Sequence, residues 1–309
     1  MSNTALFLVP ALIWGSTWYA ITWQLGVVAA EVSVTYRFAA ASLLLAAGCV
    51  ATGRSLRFSR RDHAFLAGIG LLMICVNYNL IYWAERVVVS GLVAVVYSTI
   101  VFMTPIGMRI AFGAPLEPRF FGAAALGVTG VALLFLPELQ AAGRGGSSAF
   151  GIALVLAAAA ATAAGNLIAV RNHNAGIPTI PGTAWAMAYG TLFAAAVALA
   201  NGAHWTFDPR PAYVLSLAYL ALCGSVIAFV AYFGLLKRVG AGPSSYIAVA
   251  TPVLALVMST LFEGYRWTPL AVLGALVAVS GIGLALRPAP VAAAPRVGDA
   301  TRAPASRRR

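Results

Sequence analysis

The chain has 309 residues, 61% of them hydrophobic and only 9% charged, with a mean hydropathy of +0.89 and a formal charge of +12. Soluble domains carry about 25% charged residues, so this chain has too few to cover a water-facing surface. Its apolar residues fall in ten runs of about 20, rich in Ala, Leu and Gly and without two-residue alternation; that is the length of a helix crossing roughly 30 Å of hydrocarbon, not the pattern of barrel strands.

The first run, about 5–23, has no Lys or Arg before it and exceeds a usual signal-peptide core, so it is expected to stay as helix 1. It offers Trp14, Ser16, Thr17 and Trp18 as polar or amphipathic groups. The second run, 33–51, is nearly all apolar yet holds Arg37. Arg37 lies roughly 7–8 Å along this helix, where an arginine costs at most about 2.5–3.5 kcal/mol on insertion scales and less if it snorkels to the headgroups. Two roles stay open for it: an interface anchor or tie to a neighbouring helix's carbonyls, and a cation at the outer mouth that meets a substrate carboxylate or closes a gate.

The third run, 64–84, contains "VNYNLIYWAE". Asn77 and Asn79 are two apart and point to different faces, while Tyr78 and Tyr82 are four apart and share one. An amide facing lipid has no partner, so at least one Asn is expected inside, as helix–helix glue or as cavity lining. The fourth run, 87–108, offers Tyr97, Ser98 and Thr99, and the fifth, 119–137, carries Gly122, Gly127 and Gly130. The sixth to eighth runs are 150–170, 181–200 and 212–236; the sixth brings Asn166, the seventh has no charge, and the eighth has Ser225 and Tyr232. The ninth, 243–262, supplies Ser244, Ser245, Tyr246 and Thr251, with Pro252 in mid-run. That proline removes a backbone donor, so a kink is expected there, as a packing feature or a gate element. The tenth, 268–286, carries Gly274, Gly281 and Gly283, which with the glycines of the fifth run are expected to let the two helices pack closely. Trp23, Trp205 and Trp267 near helix ends read as interface residues. Residues 288–309, Pro/Ala-rich and basic, read as a disordered tail.

The charges set a topology. With the N-terminus in the cytoplasm and ten alternating spans, fifteen of the twenty Lys and Arg fall on the cytoplasmic side and four outside, with Arg37 in a span. This is the positive-inside pattern, and it accounts for the basic balance without nucleic acid. Cys49, Cys75 and Cys223 all fall in spans and read as small hydrophobes. All eight acids, among them Glu31, Asp62, Glu85, Glu138 and Glu263, lie in loops, at span ends or in the tail, and the three histidines lie in loops. No proton carrier is therefore expected at the membrane centre; Glu85 and Glu263 remain weak candidates. There is no phosphate-binding loop, and neither a cofactor nor a metal is expected.

A shift of 151 positions superposes Gly91 on Gly242, Gly113 on Gly264, Pro118 on Pro269 and Gly130 on Gly281, and a shift of 150 puts Gly15 on Gly165 and Ser16 on Asn166. Each copy holds five spans, and five is odd, so the second copy enters the membrane inverted. Inverted repeats can exchange two shapes and open a central site alternately to each side.

"ALIWGSTWYA", "YRFAAASLLLAA", "AERVVVSGLVAVVYS" and "GAGPSSYIAVATPVLALVMSTLFEGYRWTP" resemble the drug/metabolite transporter superfamily, EamA-type branch, over residues 5 to 286. The resemblance implies an all-α membrane protein of ten transmembrane helices in two inverted five-helix repeats, 1–140 and 141–287, around a central cavity, with both termini cytoplasmic. It implies transport, often export, of small metabolites such as amino acids or drug-like compounds. The family often has a proline where Val101 stands, opposite Pro252; here Pro105 follows one turn later, which breaks the symmetry of any paired kink.

The expected function is a secondary carrier in the inner membrane. The expected substrate-binding residues are Trp14, Ser16, Thr17, Asn77, Tyr78, Tyr82, Tyr97, Ser98, Asn166, Tyr232 and Tyr246, with Arg37 and Pro252 as gating residues. Ser16 and Asn166, repeat mates, are expected to flank the pseudo-symmetry axis. Expected partners are a small-molecule substrate and the lipid bilayer, with no nucleic acid; the oligomeric state is open, a monomer being the working reading. A structural scaffold and a membrane-embedded lipid enzyme are the alternatives, the latter lacking any nucleophile, acid/base pair or metal set in the spans.

Overall fold

A computed structural model describes residues 1–24, 26–88, 90–137, 140, 147–262 and 266–286. Glu138, Glu263 and the tail 288–309 lie outside the described residues, as do the side chains of Trp18 and Glu85. Within them the chain is helical, without strands. Ten helical units follow in order: α1 (Asn3–Thr22), α2 (Ala30–Ala51), α3 (Arg60–Ile69, Gly70–Val76 and Asn77–Glu85), α4 (Ser90–Tyr97 and Ile100–Phe112), α5 (Pro118–Leu134), α6 (Ser147–Asn174), α7 (Thr179–Ala200), α8 (Pro211–Ala221, Leu222–Ile227 and Ala228–Val239), α9 (Ala241–Ser245 and Ile247–Phe262) and α10 (Pro269–Leu286). Seven are long and apolar enough to cross a membrane; the apolar stretches of α5, α9 and α10 are shorter.

Local chemistry sets the ends. Ser2 accepts from the Ala5 amide at the start of α1. Ser59 accepts from the Asp62 amide and donates to its carboxylate at the start of α3, a reciprocal cap. α5, α8 and α10 each begin on a proline, which has no amide to leave unpaired in the first turn. Gly113 ends α4 with φ 67°, a left-handed turn that favours glycine.

The middle of α3 and of α8 is a π-helical stretch, Gly70–Val76 and Leu222–Ile227. Under the 151-residue shift the first falls on 221–227, so both repeats widen at the same place. α4 and α9 are both interrupted, at 98–99 and at 246. These breaks do not superpose under the shift. Each instead lies six or seven residues before its helix's proline, Pro105 or Pro252, so the break follows the proline and not the repeat register.

The tightest seam joins α5 to α10. A Cβ on Gly281 would come within 2.6 Å of the Ala123 carbonyl oxygen and 2.7 Å of the Gly127 amide, and one on Gly274 within 2.7 Å of the Gly130 carbonyl oxygen. Partner numbers fall as residue numbers rise, so the helices run antiparallel. The contacts Gly130–Ala278 and Gly127–Gly281 exchange under the shift, which is how a two-fold axis appears in a contact set. The expectation for the glycines needs one correction. Gly122 and Gly283 have nothing within 4 Å of a built Cβ; they face outward and take no part in the seam.

The other packings also come in mirrored pairs. α1 lies against α8 and α9, and α6 against α3 and α4. α2 lies against α7.

Candidate functional site

A cavity of about 160 Å³ lies between the two halves. Its described walls come from α1, α2, α3 and α4 of the first half and α6, α8 and α9 of the second, and none from α5, α7 or α10. Trp14, Thr17, Arg37, Asn77, Tyr78, Tyr82, Tyr97, Tyr232 and Pro252 all line it. Phe229, Met73 and Thr162 line it as well, without having been picked out from the sequence: Phe and Met in an apolar run carry no signal of facing a cavity.

Arg37 is the centre of the polar wall. It is only 2% exposed and turns inward across the molecule. The π-helical widening of α8 is what receives it. Such widenings interrupt the regular backbone ladder and are common at functional sites. Here the Gly224 carbonyl accepts from two side chains, Trp14 Nε1 at 3.0 Å and Arg37 Nη2 at 3.2 Å. Arg37 Nε donates to Ser225 Oγ at 2.9 Å, and Ser225 Oγ donates to the Leu220 carbonyl five residues back. Nη2 also lies 3.4 Å from the Tyr78 hydroxyl, and the guanidinium carbon is 5.0 Å from the Tyr78 ring centre, within cation–π range. Nη1 has no protein partner. The side chain does not extend to the headgroups; it makes the tie to a neighbouring helix's carbonyl, that of Gly224 in α8, and at the same time lines the cavity.

α3 supplies a further wall, from Met73 in its own widening and from Asn77, Tyr78, Ile81 and Tyr82 just beyond it. Asn79 Nδ2 donates to the Cys75 carbonyl at 2.8 Å, so Asn79 serves its own helix. Asn77 lines the cavity, and its Oδ1 has no partner. The aromatic groups interlock. Trp14 meets the Phe229 ring edge-on at 5.4 Å and the Tyr232 ring at 5.4 Å, and Phe38 meets Tyr78 at 5.0 Å. Tyr97 and Thr162 share a hydroxyl hydrogen bond of 3.0 Å across α4 and α6. The hydroxyls of Thr17, Ser244, Ser245 and Thr251 each donate to a carbonyl of their own helix; their oxygens can still accept.

Four expected site residues are placed elsewhere. Ser16 donates to the Ile13 carbonyl and pairs with the Tyr219 hydroxyl at 2.5 Å, on the α1–α8 contact. Ser98 is fully buried and donates to Val95 in the α4 break. Asn166 is fully buried behind the wall, where Oδ1 accepts from the Tyr232 hydroxyl at 2.8 Å. Tyr246 donates to the Phe120 carbonyl at 2.6 Å, joining the α9 break to α5. Helical spacing places each near the interior, but one turn of rotation decides between cavity and packing. Ser16 and Asn166 consequently do not flank an open axis together.

Two polar clasps that single-residue reading missed sit at the ends of α3. At the end near Glu85, Glu31 Oε1 accepts from Trp83 Nε1 at 3.0 Å, with Asn201 Nδ2 at 3.5 Å and Arg86 at 3.9 Å. At the other end Arg171 Nη1 lies 3.0 Å from Asp62 Oδ1, with its guanidinium over the Phe65 ring at 3.8 Å. Asn201 and Arg171 belong to the second half, so α3 is fastened to it at both ends. The sequence shows the acids at span ends, but not which partner each finds.

Comparison with known proteins is consistent with this architecture. The EamA-like transporter family matches residues 2–136 and 149–287. A protein named "Uncharacterized inner membrane transporter YedA", from Escherichia coli K12, is 29% identical over 298 residues, covering 94% of each chain; the YedA proteins of strains CFT073 and O157:H7 match to the same extent. A solved crystal structure superposes with a TM-score of 0.75 at 18% identity, over 92% of this chain and 96% of its own; at that identity it speaks for the fold alone. The apolar helices and the family match together make the chain a multi-pass membrane protein, and the YedA relatives are named as inner-membrane transporters.

Proposed function

This chain belongs to the EamA-like transporter family, and from that premise we propose that it is a secondary carrier exporting small amphipathic metabolites of amino-acid or drug-like size by alternating access to the central cavity. The observation that carries this reading is the buried cation Arg37, facing a cavity walled by both halves. The apolar part of a substrate would lie against Trp14, Tyr78 and Phe229, and its polar part would meet Arg37 and Asn77. Tyr97 and Tyr232 would keep their positions through Thr162 and Asn166. A cavity of about 150 Å³ accepts a benzene ring, which sets the scale of the body that fits.

For the cycle, residues 1–140 and 141–287 act as the two repeats that exchange shapes. The interrupted helices α4 and α9 are the elements free to bend, with Pro252 on the cavity wall as the gate residue of the second half. The α5–α10 seam stays closed as the pivot, because glycine-against-backbone packing leaves no slack. Both termini lie in the cytoplasm, following the distribution of Lys and Arg. The chain acts alone, with a small-molecule substrate and the lipid bilayer as its partners. It is a carrier and not an enzyme: among the described wall residues, the aliphatic hydroxyls of α1 and α9 donate to their own helices, and no carboxylate or imidazole faces them to activate a nucleophile.

Reconstitution tests it. Metabolites that change in cells overproducing the protein are loaded into proteoliposomes, and their movement is followed with and without a pH gradient. Arg37→Ala and Asn77→Ala are expected to cut transport at least about tenfold, the scale of a lost charge-assisted hydrogen bond, with monodisperse protein retained. Both variants working at full rate, or no solute moving through well-folded protein, would overturn the proposal and favour the scaffold reading.

A further inference from the structure

The wall of the cavity is lopsided in charge and in hydrogen-bonding capacity. Among its described residues the only ionised group is Arg37. The partners that hold Arg37 are all neutral: the Ser225 hydroxyl, the Gly224 carbonyl and the Tyr78 hydroxyl. One guanidinium nitrogen, Nη1, remains without a partner although the residue is almost wholly buried. A buried charge with an open donor is costly until an anion meets it. The rest of the wall is richer in acceptors, with the Tyr78 hydroxyl proton and the Asn77 amide NH2 as donors beside them. Asn77 Oδ1 is an acceptor with nothing to accept from. The hydroxyl protons of Thr17, Ser244, Ser245 and Thr251 are already given to carbonyls, so these oxygens can only accept.

From this asymmetry we infer that the cavity selects small carboxylate anions that carry an uncharged hydrogen-bond donor, hydroxy acids above all, over amino acids and amines of the same shape. The inference deepens the carrier reading and rests on it for the location of the site. A carboxylate oxygen takes the open Nη1 position. A neighbouring hydroxyl of the ligand donates to Asn77 Oδ1 or to one of the hydroxyl oxygens. An apolar or ring-shaped body occupies the space between Trp14, Tyr78 and Phe229. An ammonium group fares worse in the same place. It would leave water to meet only neutral acceptors, with Arg37 as a like charge in the same small cavity and no described carboxylate on the wall to compensate it.

Four probes with one ring and different head groups isolate the point: 3-phenyllactate, 3-phenylpropionate, phenylalanine and phenethylamine. Their binding to the purified full-length protein in detergent is measured by calorimetry and by thermal shift. The expected order is 3-phenyllactate first and 3-phenylpropionate next, with phenylalanine at least about tenfold weaker than 3-phenyllactate and phenethylamine without measurable effect. Arg37→Gln is expected to weaken 3-phenyllactate about ten- to a hundredfold and to erase its preference over phenylalanine, while Arg37→Lys restores part of it. If Arg37→Gln does not fold, the order of the four probes on the unaltered protein decides alone. Phenylalanine binding as tightly as 3-phenyllactate, phenethylamine binding more tightly than either acid, or none of the four binding would each overturn the inference. Uptake into proteoliposomes keeps the two proposals apart: amino acids carried without preference for carboxylates sink the selectivity and leave the carrier, whereas hydroxy acids bound but never moved sink the carrier and leave the selectivity.

Discussion

Arg37 shows how a residue that looks misplaced in a lipid-soluble segment becomes tolerable. Its charge is spread over neutral acceptors and an aromatic face, and the accepting carbonyl of Gly224 belongs to a helix 187 positions away in the chain. Outside the spans, Asp208 plays a simpler part. It accepts from the Arg210 amide and guanidinium just before α8 begins, and that arginine holds its carboxyl below the ordinary value of 3.8. A group whose value is lowered by folding adds stability above its unfolded value, and the gain is lost as pH falls through the lowered one. Asp208→Asn is therefore expected to lower the unfolding temperature at pH 7, with the gap to the unaltered protein closing as the pH drops below about 4; thermal unfolding across a pH series checks this. Depth along a helix made Arg37 visible in the sequence, but its partner was not legible. A backbone carbonyl in a π-helical turn that accepts from distant side chains has no side-chain signature, and the same holds for the choice of Asn77 over Asn79 as the cavity-facing amide.

Among the elements, α5 and α10 divide their glycines by task. Gly281 lies against backbone, while Gly283, two residues on, meets nothing. Gly281→Leu is expected to destabilise the protein by at least about 1–3 kcal/mol, the usual range for overpacking, and Gly283→Leu to be near neutral because the new side chain enters open space. Denaturant unfolding of the two variants in detergent measures the contrast; equal stabilities would contradict the seam. The helices themselves are readable from run length, and the prolines of α5 and α10 superpose in the shifted sequence itself. What the pattern could not separate was inward from outward glycine, since small residues are compatible with both lipid and close packing. The interruptions of α4 and α9 were likewise only half legible. The offset between Pro105 and Pro252 looked like a loss of symmetry, yet each break keeps nearly the same distance to its own proline.

Across the whole molecule, the odd number of spans per repeat fixes a test that needs no substrate. Tags placed near Arg60 and near Lys237 are expected to react from the same side of the bilayer, the cytoplasmic one, and tags near Arg86 and Arg210 from the other. Impermeant labelling of cysteine-substituted protein in vesicles reads this out, and opposite sides for Arg60 and Lys237 would refute the inverted arrangement. The two clasps on α3, Glu31 with Trp83 and Asp62 with Arg171, sit at opposite ends of one helix, where an exchange of shapes between the halves would strain one while relieving the other.

The α5–α10 seam carries one more implication. Because its contacts map onto themselves when the halves are swapped, it is the kind of surface on which two separate copies of a single five-helix chain could recognise each other. The protein is thus built like a homodimer whose subunits have been joined end to end, and the joining is what allowed them to diverge. Only after that step could one half keep an arginine in its second helix while the corresponding stretch of the other, residues 182–190, carries no charge. A pair of identical subunits would have had to bury that cation twice.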